Sequence, residues 1–224
     1  MEKKLNKTKY TLMGLFIVLG AIKMICVDFS FGSEVDINYK ELKIKSESGI
    51  ESDIAFFDGG KEMAVIFAPG ASFSKESWYF LAERLQKEKI ASVSLNTGSV
   101  TDVLNGIDFL KKNGFEKISL VGGSVGGVGV LEASNKLTGK VIDKIVVIAP
   151  FGGNPVKDKN ISKLFIVAED DMMSSSAEVY RLYDNSSYPK EYKEYPSSNH
   201  AQRLFETEHK EALIEVIIDF IRDN

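Results

Sequence analysis

At 224 residues, 44% apolar and 27% charged, the chain is long enough to bury a full core and fits one globular domain. Its formal net charge is −4, and it has no basic stripe or nucleic-acid motif, which argues against nucleic acid as a partner. A single cysteine, Cys26, excludes an internal disulfide, and its place in an apolar N-terminal stretch is poor for a catalytic thiol.

The first 32 residues read as a targeting segment. Lys3, Lys4, Lys7 and Lys9 form a basic leader, and Leu12 to Ile22 is an unbroken apolar run of eleven residues. Lys23 interrupts it and Met24 to Val27 extend it. The run is shorter than a membrane span and fits a secretory signal, with Ser30 and Gly32 spaced for cleavage after Gly32. The rival is an uncleaved anchor that attaches the protein to a membrane through residues 12–27. Lipid modification of Cys26 fits less well, because Lys23-Met24-Ile25 puts no small residue before it. Either main reading places residues 33–224 outside the cytoplasm, secreted or anchored.

Two strand-like runs come next, Ile37 to Ile44 and Ile50 to Phe57, with Ser46, Ser48 and Gly49 between them. Asp58-Gly59-Gly60 closes this hairpin. Met63 to Ala68 is continuously apolar, as a strand buried on both faces of a parallel sheet must be. Pro69-Gly70-Ala71-Ser72 ends it. Ser74 to Lys87 reads as a helix with Trp78, Leu81, Ala82 and Leu85 on one face. Ile90 to Leu95 is a strand, and a helix capped by Ser99 or Thr101 runs to Lys112.

Lys117 to Val121 is a strand that stops at glycine. Five glycines then fall within eight residues, Gly122 to Gly129, with Ser124 among them. Such a run is a poor helix start, since each glycine gives up backbone entropy. It suits a chain that turns sharply out of a strand and carries one side chain at the tip. A phosphate-holding turn at a helix start is the alternative for the pentapeptide alone. Val125 to Leu137 reads as the following helix. Lys144 to Ala149 and Lys163 to Ala168 are apolar strands, Ser174 to Tyr183 a helix, Tyr192 to Tyr195 a short last strand, and Thr207 to Arg222 an amphipathic helix. Alternating strands and helices from Met63 onward predict an α/β fold: a mostly parallel central sheet with helices on both faces and an N-terminal antiparallel hairpin.

Gly122-Gly123-Ser124-Val125-Gly126 fits Gly-x-Ser-x-Gly, and with this order of elements the chain resembles the α/β-hydrolase superfamily over about residues 35–224. The resemblance implies a serine nucleophile, Ser124. A hydroxyl needs a base to take its proton, an acid to orient that base, and donors for the developing oxyanion. His200 follows the last strand, where the superfamily places its base. The other histidine, His209, starts the last helix and reads as an ordinary helical residue. The acid follows the strand ending at Ala168: the superfamily register implies Asp171, with Asp170 the close alternative and Asp158 an outsider. The oxyanion donors implied are the backbone N–H groups of Val125 and of Ala71, in a loop with proline where the superfamily has histidine.

Only twelve residues, 151–162, separate Pro150 from the next strand, which leaves no room for a helical cap domain. Phe73, Phe151, Met172 and Met173 adjoin the site loops and can line an acyl pocket or sit in the core. The resemblance thus implies a small capless serine hydrolase acting on a small-molecule acyl substrate, carboxylic esters first. No cofactor and no metal are expected. Alternatives are a non-catalytic binding protein of the same fold, and an acyltransferase, thioesterase or peptidase using the same three residues.

Overall fold

The computed structural model describes residues 38–46 and 49–223. The leader of residues 1–32 with Cys26, the start of the first expected strand at Ile37, and the turn residue Ser48 lie outside the described residues. Among the described residues, no helix is long and apolar enough to cross a membrane.

Eight strands form one sheet in the order β1-β2-β4-β3-β5-β6-β7-β8. β1 (Tyr39–Lys45) and β2 (Glu51–Phe57) make the antiparallel hairpin, and β2 also runs antiparallel to β4 (Ala91–Leu95). β3 (Met63–Ala68), β4, β5 (Lys117–Gly123), β6 (Lys144–Ile148), β7 (Ser162–Ala168) and β8 (Lys190–Tyr195) are parallel to one another. Among the described residues four helices connect the strands, α1 (Tyr79–Lys87), α2 (Val100–Lys112), α3 (Val125–Lys136) and α4 (Ser176–Asn185), and α5 (Lys210–Arg222) follows β8.

The apolar strands need a cover on both faces, and the helices supply it. Ala64, Ile66 and Ala68 of β3 pack with Val103, Ile107, Leu110, Val130, Leu131, Val179 and Leu182, on α2, α3 and α4. Val65 and Phe67, which alternate with them, pack on the opposite face with Trp78, Leu81, Leu85, Leu213, Ile217 and Ile221, on and beside α1 and α5. Period-two alternation thus feeds two cores at once, which is why the strand shows no polar face.

The helix beginnings depart from expectation in two places. The segment expected as helix from Ser74 opens with a 3₁₀ turn, Lys75–Trp78, before α1. The segment expected from Thr207 follows another 3₁₀ stretch, Ala201–Glu206, and becomes α-helical only at Lys210. Ser99 caps α2 by accepting the Asp102 N–H, and Ser175 caps α4 by accepting that of Glu178. Residues 149–161 contain no helix, so the connection between β6 and β7 carries no helical cap. The loops after β3, β5, β6, β7 and β8 all leave the same edge of the sheet, and the candidate residues gather there. Tyr39 opens β1 opposite Phe57, which pairs with Ser92 near the start of β4, so the described chain begins at the opposite edge.

Candidate active site

Ser124 sits between β5 and α3 with φ 53° and ψ −120°, a conformation that costs a side-chain-bearing residue energy. Its N–H donates to the Ile148 carbonyl at 2.9 Å, which ties the turn to β6. The turn is tight enough to require glycine on both sides. A Cβ on Gly122 would stand 2.4 Å from the Gly126 carbonyl oxygen, and one on Gly126 would stand 2.1 Å from that of Ala68. The glycines thus let α3 start directly against β5 and the end of β3.

His200 and Asp171 converge on this serine. His200 Nε2 lies 2.8 Å from Ser124 Oγ, and its Nδ1 lies 2.8 Å from Asp171 Oδ2. A carboxylate only accepts, so Nδ1 carries the proton and Nε2 is left to accept from the serine hydroxyl. The Asp171 side chain is fully buried, and its Oδ1 accepts the backbone N–H groups of Met173 at 2.9 Å and Ser174 at 3.0 Å. Three donors therefore fix the carboxylate in place. Asp170 is exposed, and its N–H goes to the Ser197 carbonyl. Asp158 is engaged elsewhere, accepting from the backbone and side-chain amides of Asn160. His209 is a helix-end histidine whose Nε2 donates to the Pro196 carbonyl at 3.3 Å, its ring tilted against Tyr195.

The loop after β3 lies beside the serine: a Cβ on Gly70 would come within 3.3 Å of Ser124 Cβ. The Gly70 N–H is taken by Gln202 Oε1 at 2.7 Å, so Ala71 offers the next backbone donor of this loop. Val125 opens α3, and its N–H has no acceptor within the helix. Both N–H groups flank the serine in sequence or space.

The residues adjoining the site do not form core. Phe151 is 58% exposed, Met172 94% and Met173 58%, while Phe73 is half-buried with the Arg203 guanidinium over its ring. The core alternative for Phe151, Met172 and Met173 is thereby excluded; they form an apolar rim. Two residues with parts in this arrangement were not foreseen. Ser174 closes the Asp171 turn, its Oγ donating to the Pro150 carbonyl at 2.6 Å. Gln202 reaches Gly70 across the sheet edge.

No protein-family model matches the chain, and no curated protein matches it in sequence. Solved structures do match in shape. An esterase from Pyrococcus furiosus superposes with a TM-score of 0.68 at 16% identity, over 83% of this chain and 91% of that one. An α/β-hydrolase from Penicillium sp. gives 0.69 at 12% identity, over 82% and 98%. A monoacylglycerol lipase from Paleococcus ferrophilus gives 0.63 at 15% identity, over 77% and 98%. The chain has the α/β-hydrolase fold.

Proposed function

We propose that this protein is a serine hydrolase that cleaves a carboxylic ester-type acyl bond through an acyl-enzyme intermediate. The observation that carries this reading is the line Ser124–His200–Asp171, with 2.8 Å at each link. Ser124 Oγ attacks the acyl carbonyl carbon as His200 Nε2 takes its proton, and Asp171 stabilises the imidazolium that forms. The Ala71 and Val125 N–H groups receive the oxyanion; a single such donor contributes about 3 kcal/mol to the transition state. The imidazolium then returns its proton to the leaving alcohol. Water, deprotonated in turn by His200, attacks the acyl carbon and releases the acid and the free Ser124 hydroxyl. The uncovered site and the rim of Phe151, Met172 and Met173 support small acyl esters with an apolar acyl part.

A fluorophosphonate probe tests the reading. Wild type should be labelled at Ser124 and should turn over p-nitrophenyl esters, whereas Ser124→Ala and His200→Ala should do neither. Equal labelling of wild type and Ser124→Ala would sink the assignment of the nucleophile. No labelling and no turnover across a chain-length series would favour a binding protein of this fold.

A further inference from the structure

Gln202 is 5% exposed and uses both ends of its amide on one chain of hydrogen bonds. The Gly70 N–H donates to Gln202 Oε1 at 2.7 Å, Gln202 Nε2 donates to Ser77 Oγ at 2.6 Å, and Ser77 Oγ donates to the Ser74 carbonyl at 2.6 Å. Each proton has one direction. A backbone N–H can only donate, so the amide oxygen faces Gly70; the Ser77 proton is spent on Ser74, so its oxygen accepts from the amide nitrogen. The amide orientation follows from its neighbours.

The space around that amide is shaped to hold it. A Cβ on Gly123 would stand 3.0 Å from Gln202 Oε1, and one on Gly70 would stand 3.2 Å from it. The oxygen therefore lies between the residue before Ser124 and the residue before Ala71. Ala201, between His200 and Gln202, has φ 48°, an unfavourable value for alanine. Through that strained residue the same short segment presents an imidazole to the serine and an amide to the loop after β3.

We infer that Gln202 is a positioning residue: it clamps the Gly70 peptide so that the Ala71 N–H is held toward the acyl oxygen of a substrate on Ser124. As an oxyanion-loop clamp, Gln202 rests on the hydrolase reading above. It touches no reacting atom. It blocks the Gly70 N–H from the substrate and couples the donor loop to the loop that carries the base. A displacement of about 1 Å in such a donor is enough to cost on the order of 100-fold in rate.

The test compares Gln202→Met, which keeps length and loses the acceptor, with Ser77→Ala, which removes only the far link. Backbone amide hydrogen exchange at Gly70 reads the clamp directly. Gln202→Met should lose protection at Gly70 and Ser77→Ala should retain most of it. Gln202→Glu, which keeps a carboxyl oxygen for the Gly70 N–H, should restore that protection. With a p-nitrophenyl ester, Gln202→Met should lower kcat about 10- to 100-fold while KM stays within about threefold. Unchanged Gly70 protection in a folded Gln202→Met protein would overturn the clamp, as would a kcat within about twofold of wild type. If wild type itself turned over no ester, the hydrolase reading alone would fall, and exchange at Gly70 would still decide whether the clamp exists.

Discussion

Asp171 gives one carboxylate oxygen to His200 Nδ1 at 2.8 Å and the other to the N–H groups of its own turn, at Met173 and Ser174. An amide in its place can offer an N–H to Nδ1, which drives the imidazole proton to Nε2, where it can no longer accept from Ser124. Asp171→Asn should therefore lower turnover about 10³- to 10⁴-fold with the fold intact. Asp170→Asn, on an exposed side chain, should stay within about twofold. A pH-controlled ester assay on both variants checks this, and loss of turnover in Asp170→Asn alone would move the acid by one residue.

Gly126 bears on stability and on the serine at once. Its hypothetical Cβ would stand 2.1 Å from the Ala68 carbonyl oxygen and 2.6 Å from that of Pro69, both backbone atoms that cannot turn aside. Gly126→Ala must push α3 away from the end of β3, which should cost about 1–3 kcal/mol in urea unfolding. The folded fraction should also react more slowly with the fluorophosphonate, because the same shift moves Ser124. An unchanged unfolding midpoint would show that the turn relaxes more freely than its contacts imply.

What could be read from the sequence follows from burial. The inner strands are packed on both faces, so Met63 to Ala68 and Lys163 to Ala168 stand out as unbroken apolar runs. β8 is an edge strand of sequence Lys-Glu-Tyr-Lys-Glu-Tyr with no fully buried residue, and only Tyr192 to Tyr195 of it was legible. The late start of α1 was hidden because its opening 3₁₀ turn takes the same polar residues that open an α-helix. Ser124 was legible because its turn needs glycines close by in the chain. The superfamily register put Asp171 ahead of Asp170, and what separates them in the structure is that Asp171 meets a histidine 29 residues later. Gln202 was beyond reach: its partner Gly70 is 132 residues away, and a buried amide carries no local pattern.

The apolar rim should set acyl-chain preference. Met172 projects from the turn that holds Asp171, and Phe151 leaves β6 with its N–H on the Ser124 carbonyl at 3.4 Å. Both are well exposed, so an acyl chain lying along them would bury surface that the free protein leaves in water. In Phe151→Ser and Met172→Ser, the ratio of kcat/KM for octanoate over acetate esters should fall about tenfold. A ratio unchanged in both variants would place the acyl chain elsewhere, with the half-buried Phe73 as the next residue to vary.

Lys163 should make stability depend on pH in alkaline solution. Its side chain is fully buried in β7, and Nζ donates to the carbonyls of Asp158 and Ile161. Burial pushes its pKa down from 10.5 to about 8, against the opposing pull of Asp158 and with a smaller push from Lys190. Below about pH 8 the lysine is charged in both native and unfolded chains, and the native state bears the cost of a buried cation. Between about 8 and 10.5 the unfolded chain holds the proton that the native chain has released, so stability should rise with pH. Burial raises the pKa of Tyr79 and Tyr192, which acts in the opposite sense once the unfolded tyrosines ionise near 10, so the informative window closes there. Urea unfolding of wild type and Lys163→Met from about pH 7 to about pH 9.5 isolates the effect. Wild type should gain stability relative to Lys163→Met across this range. A constant difference between the two proteins would mean that Lys163 titrates as an ordinary solvated lysine.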